Sequence, residues 1–511
     1  MQKRQKYIWG FLGITASIVA IVFFALSLLT SELDVLKKAR QNADTITIFG
    51  TWCNDAKTLT ATQTIVYRNR SSLPKNEVKF HIYANAYQDG AKNPPVSQDE
   101  IPNAFPDGKS FGGIEIHSLD VNGTRTTPII DGVDDTVLIV PLQSALQPGA
   151  TVHIEKRYTV QLANIKHRLG WTEDVVNLAN FYPVPVMFED GEWQIFPYSY
   201  MGDPFFNAMH NFDVHLTLPA NKVVASSGIL MHEATRDNMR TVHLRAYAIR
   251  DFAAVFSPHF NVITRNLGQT VVRYYFLDDN DPEQSLEISV KSLRLFSDLF
   301  VKFPYRQMSI VQTDFLHGGM EYGKLIYVSR EFLAPIQAGN EYDRERHNYV
   351  IVHEIAHQWW YGLIGNNQSR TAWIDEGLAE WSTLLFFDKF PQWGICRRTT
   401  IDNSRENLAA FIRLVRDLGG DISTSMCRPL SDFNSSYEYV FMVYVRGLLL
   451  FYDLEALLTR NTMVASLSHF ANKAKFGIGT QDKLVQSIRY VSGHCTALFF
   501  TTFLAGWDGF V

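Results

Sequence analysis

Two histidines four residues apart, His353 and His357, followed after eighteen intervening residues by Glu376, constrain this chain more than any other feature. Residues four apart on an α-helix share a face, at roughly 40° of rotation and about 6 Å of rise, so both imidazoles can reach one ion. The surrounding residues 349–361 are strongly apolar and lack Gly and Pro, which predicts a buried helix ending near Gly362. Two histidines and one carboxylate leave a position for water, which is typical of a catalytic zinc site. The sequence therefore predicts one Zn²⁺ per chain, held by these three side chains.

Glu354 follows the first histidine directly, so its side chain should leave the helix beside the predicted ion rather than point at it. A carboxylate there can take the proton of a water whose pKa zinc has lowered towards ~7, and later deliver it to a leaving amine. We therefore predict Glu354 as the general base of metal-assisted amide hydrolysis. The alternative is that the two histidines occur at this spacing by chance and bind no metal. Glu376 at the expected offset makes such a coincidence about tenfold less frequent.

A second motif lies upstream, where Gly318, Gly319, Met320 and Glu321 are followed by Tyr322. It resembles the Gly-x-Met-Glu-Asn exopeptidase motif of the gluzincin aminopeptidases, relatives of aminopeptidase N and the leukotriene hydrolase, with Tyr in the place of Asn. The resemblance implies an edge strand whose backbone pairs with the peptide, and a glutamate that binds the free α-amine. A carboxylate fixed one residue's length from the metal would measure out one amino acid from the N-terminus.

Downstream, residues 439–447 resemble the Tyr-x-Lys-Gly segment of the same family, with Arg446 in the place of Lys. The resemblance implies that the Tyr444 phenol hydrogen-bonds the oxyanion of the tetrahedral intermediate. Without the resemblance, a tyrosine in this apolar run would be interpreted as a core aromatic of a helix. One turn after Glu376, Glu380 is a candidate to orient a ligand histidine, and a solvated or salt-bridged glutamate is the alternative.

Residues 7–30 carry no charge, and a helix of that length spans roughly 36 Å, enough to cross a ~30 Å hydrocarbon core. This predicts a single-pass membrane anchor; a cleavable signal peptide, the alternative, has a shorter apolar core and a small-x-small cleavage site. Lys3, Arg4 and Lys6 predict a cytoplasmic N-terminus with the catalytic domain outside, although the basic residues within 37–40 count against that orientation.

The pattern along the chain predicts a multidomain α+β protein. Residues 1–30 form the cytoplasmic tip and anchor, and residues 31–45 a helical stalk. Residues 46–270 alternate in hydrophobicity between turn signals, which predicts an antiparallel, saddle-like β domain. Residues 271–511 become helical in spacing and, by the resemblance, form a thermolysin-like zinc catalytic domain.

The expected function is removal of N-terminal residues from peptides with a free N-terminus, by a membrane-anchored zinc aminopeptidase. With a net charge of −5 at pH 7, nothing in the composition favours a nucleic-acid partner. Two other readings stay open: a thermolysin-like endopeptidase in which Glu321 is incidental, and a surface peptide-binding protein without turnover.

Overall fold

The structure is a computed structural model that describes residues 35–332 and 341–506. Residues 35–42 are helical and, with Ala43, form the described part of a first unit; the second unit starts at Asp44. Within these ranges no helix is both long and apolar enough to cross a membrane. The predicted anchor, residues 7–30, lies outside the described residues, so the anchor and the extracytoplasmic placement stay predictions.

The region predicted to be β is built from short strands joined by turns. Its strands before residue 277 are β1 Asp44–Cys53, β2 Thr58–Arg68, β3 Lys75–His81, β4 Gly113–Val121, β5 Thr124–Thr126, β6 Ile129–Asp131, β7 Val137–Leu146, β8 Thr151–Gln161, β9 Leu169–Trp171, β10 Val176–Ala179, β11 Val184–Pro185, β12 Phe188–Glu189, β13 Glu192–Trp193, β14 His210–Pro219, β15 Val223–Ser226, β16 Ile229–Arg236, β17 Met239–Ile249, β18 Ala253–Ser257, β19 Asn261–Leu267 and β20 Thr270–Phe276.

An eight-stranded sheet in the order β16-β17-β14-β1-β2-β8-β4-β5 dominates this region. Buried and exposed residues alternate along its strands, as expected for a sheet with one face against a core. The sheet departs from the predicted antiparallel arrangement at one pair, because β1 and β14 run parallel. Parallel neighbours need a long crossover, and here residues 54–209 separate the two strands. Smaller sheets, β15-β18-β10-β9 and β11-β3-β7-β6, complete the region.

A five-stranded sheet belongs to the part of the chain that holds the motifs. Its order is β19-β20-β21-β23-β22, where β21 is Gln307–Thr313, β22 is Gly319–Met320 and β23 is Leu325–Ser329. The hairpin β19–β20 pairs onto β21, so this sheet begins before the predicted break at residue 270. A two-stranded sheet pairs β24 Ile364–Gly365 with β25 Gly477–Ile478.

Helices dominate after residue 281. In chain order the helices of the second unit are α1 Ile101–Ala104, α2 Pro282–Leu299, α3 Glu341–Ala356, α4 Gln368–Thr371, α5 Trp373–Lys389, α6 Arg397–Asp417, α7 Ser436–Tyr439, α8 Arg446–Leu458, α9 Arg460–Ala474, α10 Gln481–Ser492 and α11 Ala497–Ala505. Single 3₁₀ turns lie at Tyr83–Tyr87, Val133–Asp135, Arg330–Phe332, Pro391–Trp393 and Leu430–Asp432, and a π-helical turn spans Val440–Val445.

The core of the helical part surrounds α3 and α5. Four tryptophans are fully buried there: Trp359, Trp360, Trp373 and Trp381. The start of α2 follows from its sequence, since the Asp281 side chain accepts the Gln284 amide at 3.1 Å and Pro282 occupies the first turn. Helix α3 ends at Ala356, before the predicted end near Gly362, because the chain turns back through Gly362 N–H donating to His357 O at 2.8 Å.

Candidate metal centre

Three side chains predicted as metal ligands converge in the interior. His353 lies on α3, His357 one residue past its end, and Glu376 in the first turn of α5. Glu376 Oε2 is 3.2 Å from Nε2 of each histidine, and the two Nε2 atoms are 3.0 Å apart. A tetrahedral zinc ion with ligands at about 2.0–2.1 Å separates its donors by roughly 3.3 Å. The donor chemistry and its spacing therefore fit zinc.

Groups behind the two imidazoles hold the rings in place. Nδ1 of His357 lies 2.9 Å from the Trp360 carbonyl oxygen, and Nδ1 of His353 lies 3.1 Å from Glu380 Oε1. The Tyr349 hydroxyl donates to the other oxygen of Glu380. With an oxygen beside each Nδ1 atom, both Nε2 atoms face the position predicted for the metal. Oxygens behind the ligand imidazoles are usual in histidine metal sites. Glu380 thus lies in ion-pair contact with a predicted ligand histidine, and its orienting role stays a prediction.

Glu354 lies beside the donors and is 6% exposed. Its Oε2 has no hydrogen-bond partner among the described residues. Burial raises the pKa of Glu354 to about 7, although the neighbouring His353 and His357 oppose that shift. The backbone of Gly319 passes so close that a Cβ there would lie 2.4 Å from Glu354 Oε1. A buried carboxylate with one uncommitted oxygen is arranged to accept a proton.

Tyr444 reaches the same point from the π-helical turn Val440–Val445. Its hydroxyl donates to Glu376 Oε1 at 2.6 Å, so in this structure the phenol bonds a donor carboxylate. The approach depends on two glycines, because a Cβ on Gly377 would lie 3.0 Å from the Gly447 Cα, and the reverse also holds. This crossing of α5 and α8 brings the phenol to the donors.

The upstream motif forms the edge of the five-stranded sheet. Gly319 and Met320 are strand β22, which pairs antiparallel with β23 and is last in the sheet order of the described residues. Met320 is buried, and Tyr322, which stands in place of the family's Asn, packs its ring 5.1 Å from that of Tyr327. The outer side of β22 presents backbone groups to which an extended peptide can bind.

Glu321 is 3% exposed and points towards the donors. One donor atom each of Glu321, His357 and Asp375 lies within 4.8 Å of the others. Burial, and then the charge of Asp203, raises the pKa of Glu321 well above its usual range. The site thus contains a buried carboxylate about one residue's reach from the metal donors.

Sequence reasoning missed the polar groups that hold Glu321. Gln368 Nε2 donates to Glu321 Oε1 at 2.9 Å and to Asp375 Oδ2 at 2.8 Å, and Asn366 Nδ2 donates to Asp375 Oδ1 at 2.7 Å. In the sequence, residues 365–369 are only a short polar segment between two apolar ones. An available signal was Asp375, a second acidic residue directly before Glu376 in a largely apolar segment.

Asp203 was also missed, and it reaches this end of the site from the β-rich region. It accepts a hydrogen bond from buried Arg168 at 2.5 Å, and its charge acts on both Glu321 and Glu354. No local pattern marks Asp203, since it lies in an irregular segment between strands β13 and β14. Its charge adds to the negative potential that would attract a cationic group.

Comparisons with known proteins agree with this geometry. Residues 284–504 match the sequence profile of the peptidase family M1 domain. Aminopeptidase M1 of Arabidopsis thaliana is 27% identical over 206 residues, 39% of this chain and 23% of the relative. The alanine/arginine aminopeptidase of Saccharomyces cerevisiae is 24% identical over 305 residues, 58% of this chain and 33% of the relative. The chain thus spans about a quarter to a third of the length of these relatives.

Solved structures show the same fold. An M1 zinc metallopeptidase from Deinococcus radiodurans superposes with a TM-score of 0.62 at 13% identity, covering 91% of this chain and 93% of that one. A mutant M1 zinc metallopeptidase from Deinococcus radiodurans, bound to a Tyr-Ser-Ala substrate, superposes with a TM-score of 0.59 at 14% identity, covering 90% of this chain and 94% of that one.

Proposed function

We propose that this chain, whose residues 284–504 match the peptidase family M1 domain, is a zinc aminopeptidase that removes N-terminal residues from peptides. The observation that carries the proposal is the position of Glu321, a buried carboxylate within 4.8 Å of a donor atom of His357. A metal centre alone supports peptide hydrolysis in general. A carboxylate at one residue's distance adds a site for the α-ammonium of the substrate.

His353, His357 and Glu376 would hold the zinc, which when bound supplies a Lewis acid that polarises the scissile carbonyl and acidifies water. Glu354, beside these donors with a free oxygen, accepts the proton of the attacking water and delivers it to the leaving amine. The Tyr444 hydroxyl, which donates to Glu376 here, exchanges that acceptor for the oxyanion of the tetrahedral intermediate.

Substrate recognition would use the edge strand and Glu321 together. Gly318 and Gly319 lie at the edge of the sheet, where an extended peptide could pair, and the buried Met320 anchors that edge to the core. Gln368 fixes the Glu321 carboxylate through its 2.9 Å hydrogen bond, so the charge is oriented before substrate arrives. An incoming ammonium would pair with this carboxylate, and the negative charge of Asp203 would add to the attraction.

A chelation experiment with amino-acid amides tests the proposal. Removing zinc from the wild type should abolish amide hydrolysis, and restoring zinc should recover it, because the ion polarises the carbonyl.

Glu376→Ala should lower zinc content, measured by elemental analysis, since it deletes a donor. Glu380→Gln serves for comparison, because it changes a group behind His353 and keeps all three donors. It should weaken zinc binding by only about 10- to 100-fold. Full zinc content in Glu376→Ala, or hydrolysis that survives chelation, would refute the assignment.

Gly319→Ala is expected to lower kcat by roughly 100-fold, because the new Cβ would overlap the Glu354 carboxylate and push the base from its place. Zinc content should not change. Gly318→Ala is the control: Gly318 has φ +84°, but the nearest atom to an added Cβ is 3.7 Å away, on Val350. That variant should lose about 1–2 kcal/mol of stability and keep more of its kcat. Equal kcat values in the two variants would mean that the Gly319 contact does not position Glu354.

A further inference from the structure

Two histidines and an aspartate lie together on the solvent side of the eight-stranded sheet. Asp213 and His215 are two residues apart on β14, so their side chains leave the same face. His243 on β17 is directly opposite His215 in the antiparallel register. These three residues belong to the β-rich region and take no part in the metal centre described above.

Their donor atoms converge on one oxygen. Asp213 Oδ1 lies 2.6 Å from His243 Nε2 and 3.2 Å from His215 Nε2. One donor atom from each residue lies within 4.8 Å of the others. The same pattern marks the metal centre, where one oxygen of Glu376 is 3.2 Å from Nε2 of both histidines.

The three side chains are held firmly but remain reachable. The imidazoles of His215 and His243 stack with centroids 4.1 Å apart, and the Phe49 ring stacks on His215 at 4.5 Å. Side-chain exposures of 27% for His215, 19% for His243 and 23% for Asp213 leave a path for an ion from solvent. Because the residues sit on adjacent strands, the sheet fixes their backbone spacing.

Arg245 opposes cation binding at this trio. Its Nε donates to Asp213 Oδ2 at 3.0 Å. This bond occupies the second oxygen of the carboxylate and leaves Oδ1 facing the two imidazoles. The positive charge of Arg245 disfavours a nearby cation, so the trio should bind a metal more weakly than the buried centre. It also orients the carboxylate, as groups behind metal ligands commonly do.

We propose that Asp213, His215 and His243 form a second transition-metal site, which takes Zn²⁺. Two imidazoles and one carboxylate suit zinc and other late first-row ions, whereas magnesium and calcium require oxygen ligands. With three protein ligands on an exposed face, the remaining coordination positions belong to solvent.

Zinc binding to the purified, zinc-loaded chain tests this site. The wild type should bind one Zn²⁺ more than His215→Ala/His243→Ala, measured by calorimetric titration and by elemental analysis after dialysis. Thr217→Ala/Thr241→Ala is the matched control, because these threonines form the next cross-strand pair on the same face, 2.8 Å apart, and carry no metal ligand. It should bind as much zinc as the wild type. Amide hydrolysis should be the same in all three proteins.

A second variant, Asp213→Asn, shows whether a loss of zinc in the double variant comes from a folding defect. Asp213→Asn keeps the side-chain shape but removes the charge, and it should lose the additional zinc. Its melting temperature without added metal should fall slightly, because Arg245 loses its ion-pair partner, and that value is the baseline for its response to Zn²⁺. Added Zn²⁺ should raise the melting temperature of the wild type and not that of Asp213→Asn. The comparison of variants is independent of the buried centre, so it stands whether or not amide hydrolysis is found. Equal zinc content in the wild type, the double variant and Asp213→Asn would overturn the proposal.

Discussion

Glu354→Gln should lower kcat for an amino-acid amide by about 1000-fold while zinc content stays at the wild-type value. The amide of Gln has nearly the shape of the carboxylate but cannot accept a proton from water. Glu354 is not one of the three side chains whose donor atoms converge, so the metal centre keeps its ligands. Turnover and elemental analysis on the same sample separate loss of the base from loss of the ion.

Glu354→Asp provides the matched control, because it keeps a carboxylate and shortens the side chain by one methylene. It should retain more activity than Glu354→Gln, since a proton acceptor remains within reach of a water. Two results would remove Glu354 from the mechanism: wild-type turnover in Glu354→Gln, or equal losses in the two variants.

The local part of this site could be predicted from the sequence because helical spacing is local. His353 and His357 are neighbours on any helix, and the offset to Glu376 fits a second helix beside the first. The resemblance to the gluzincin aminopeptidases is confirmed by the family profile over residues 284–504 and by the solved M1 structures. Roles in catalysis stay predictions until the variants are measured.

What could not be predicted depends on contacts between distant segments. Gln368 reaches Glu321 across 47 positions of the chain, and Arg168 orients Asp203 from another strand region. The contact between Gly319 and Glu354 likewise appears only when an edge strand packs on α3. Neither residue type nor periodicity encodes which polar groups meet in the interior.

The sheets show the same division between local and distant information. Period-two alternation predicted the strands of the β-rich region, since each strand buries one face. It did not predict the parallel pairing of β1 with β14, because alternation is the same for either direction of the neighbour. Nor did it show that the hairpin β19–β20 joins the sheet of the motif-bearing part.

Glu321→Ala should selectively weaken hydrolysis of peptides with a free N-terminus. A buried carboxylate, fixed by Gln368 and close to the donors, gains a partner when an ammonium binds, whereas an N-acetylated peptide leaves it unpaired. Losing such a pair costs about 2–4 kcal/mol, which corresponds to roughly a 30- to 1000-fold fall in kcat/KM. The wild type should therefore prefer free peptides over acetylated ones by that factor, and Glu321→Ala should lose most of the preference.

The pattern across substrates separates this role from a structural one. A variant that merely disturbs the site lowers kcat/KM for free and acetylated peptides alike, whereas loss of an amine partner lowers it for free peptides alone. Gln368→Ala, which removes the hydrogen bond to Glu321 but keeps the charge, should reduce the preference by a smaller factor. If the wild type cleaves acetylated and free peptides equally, Glu321 does not recognise the amine. The same zinc chemistry then belongs to an endopeptidase, because nothing else on the edge strand would restrict cleavage to the first residue.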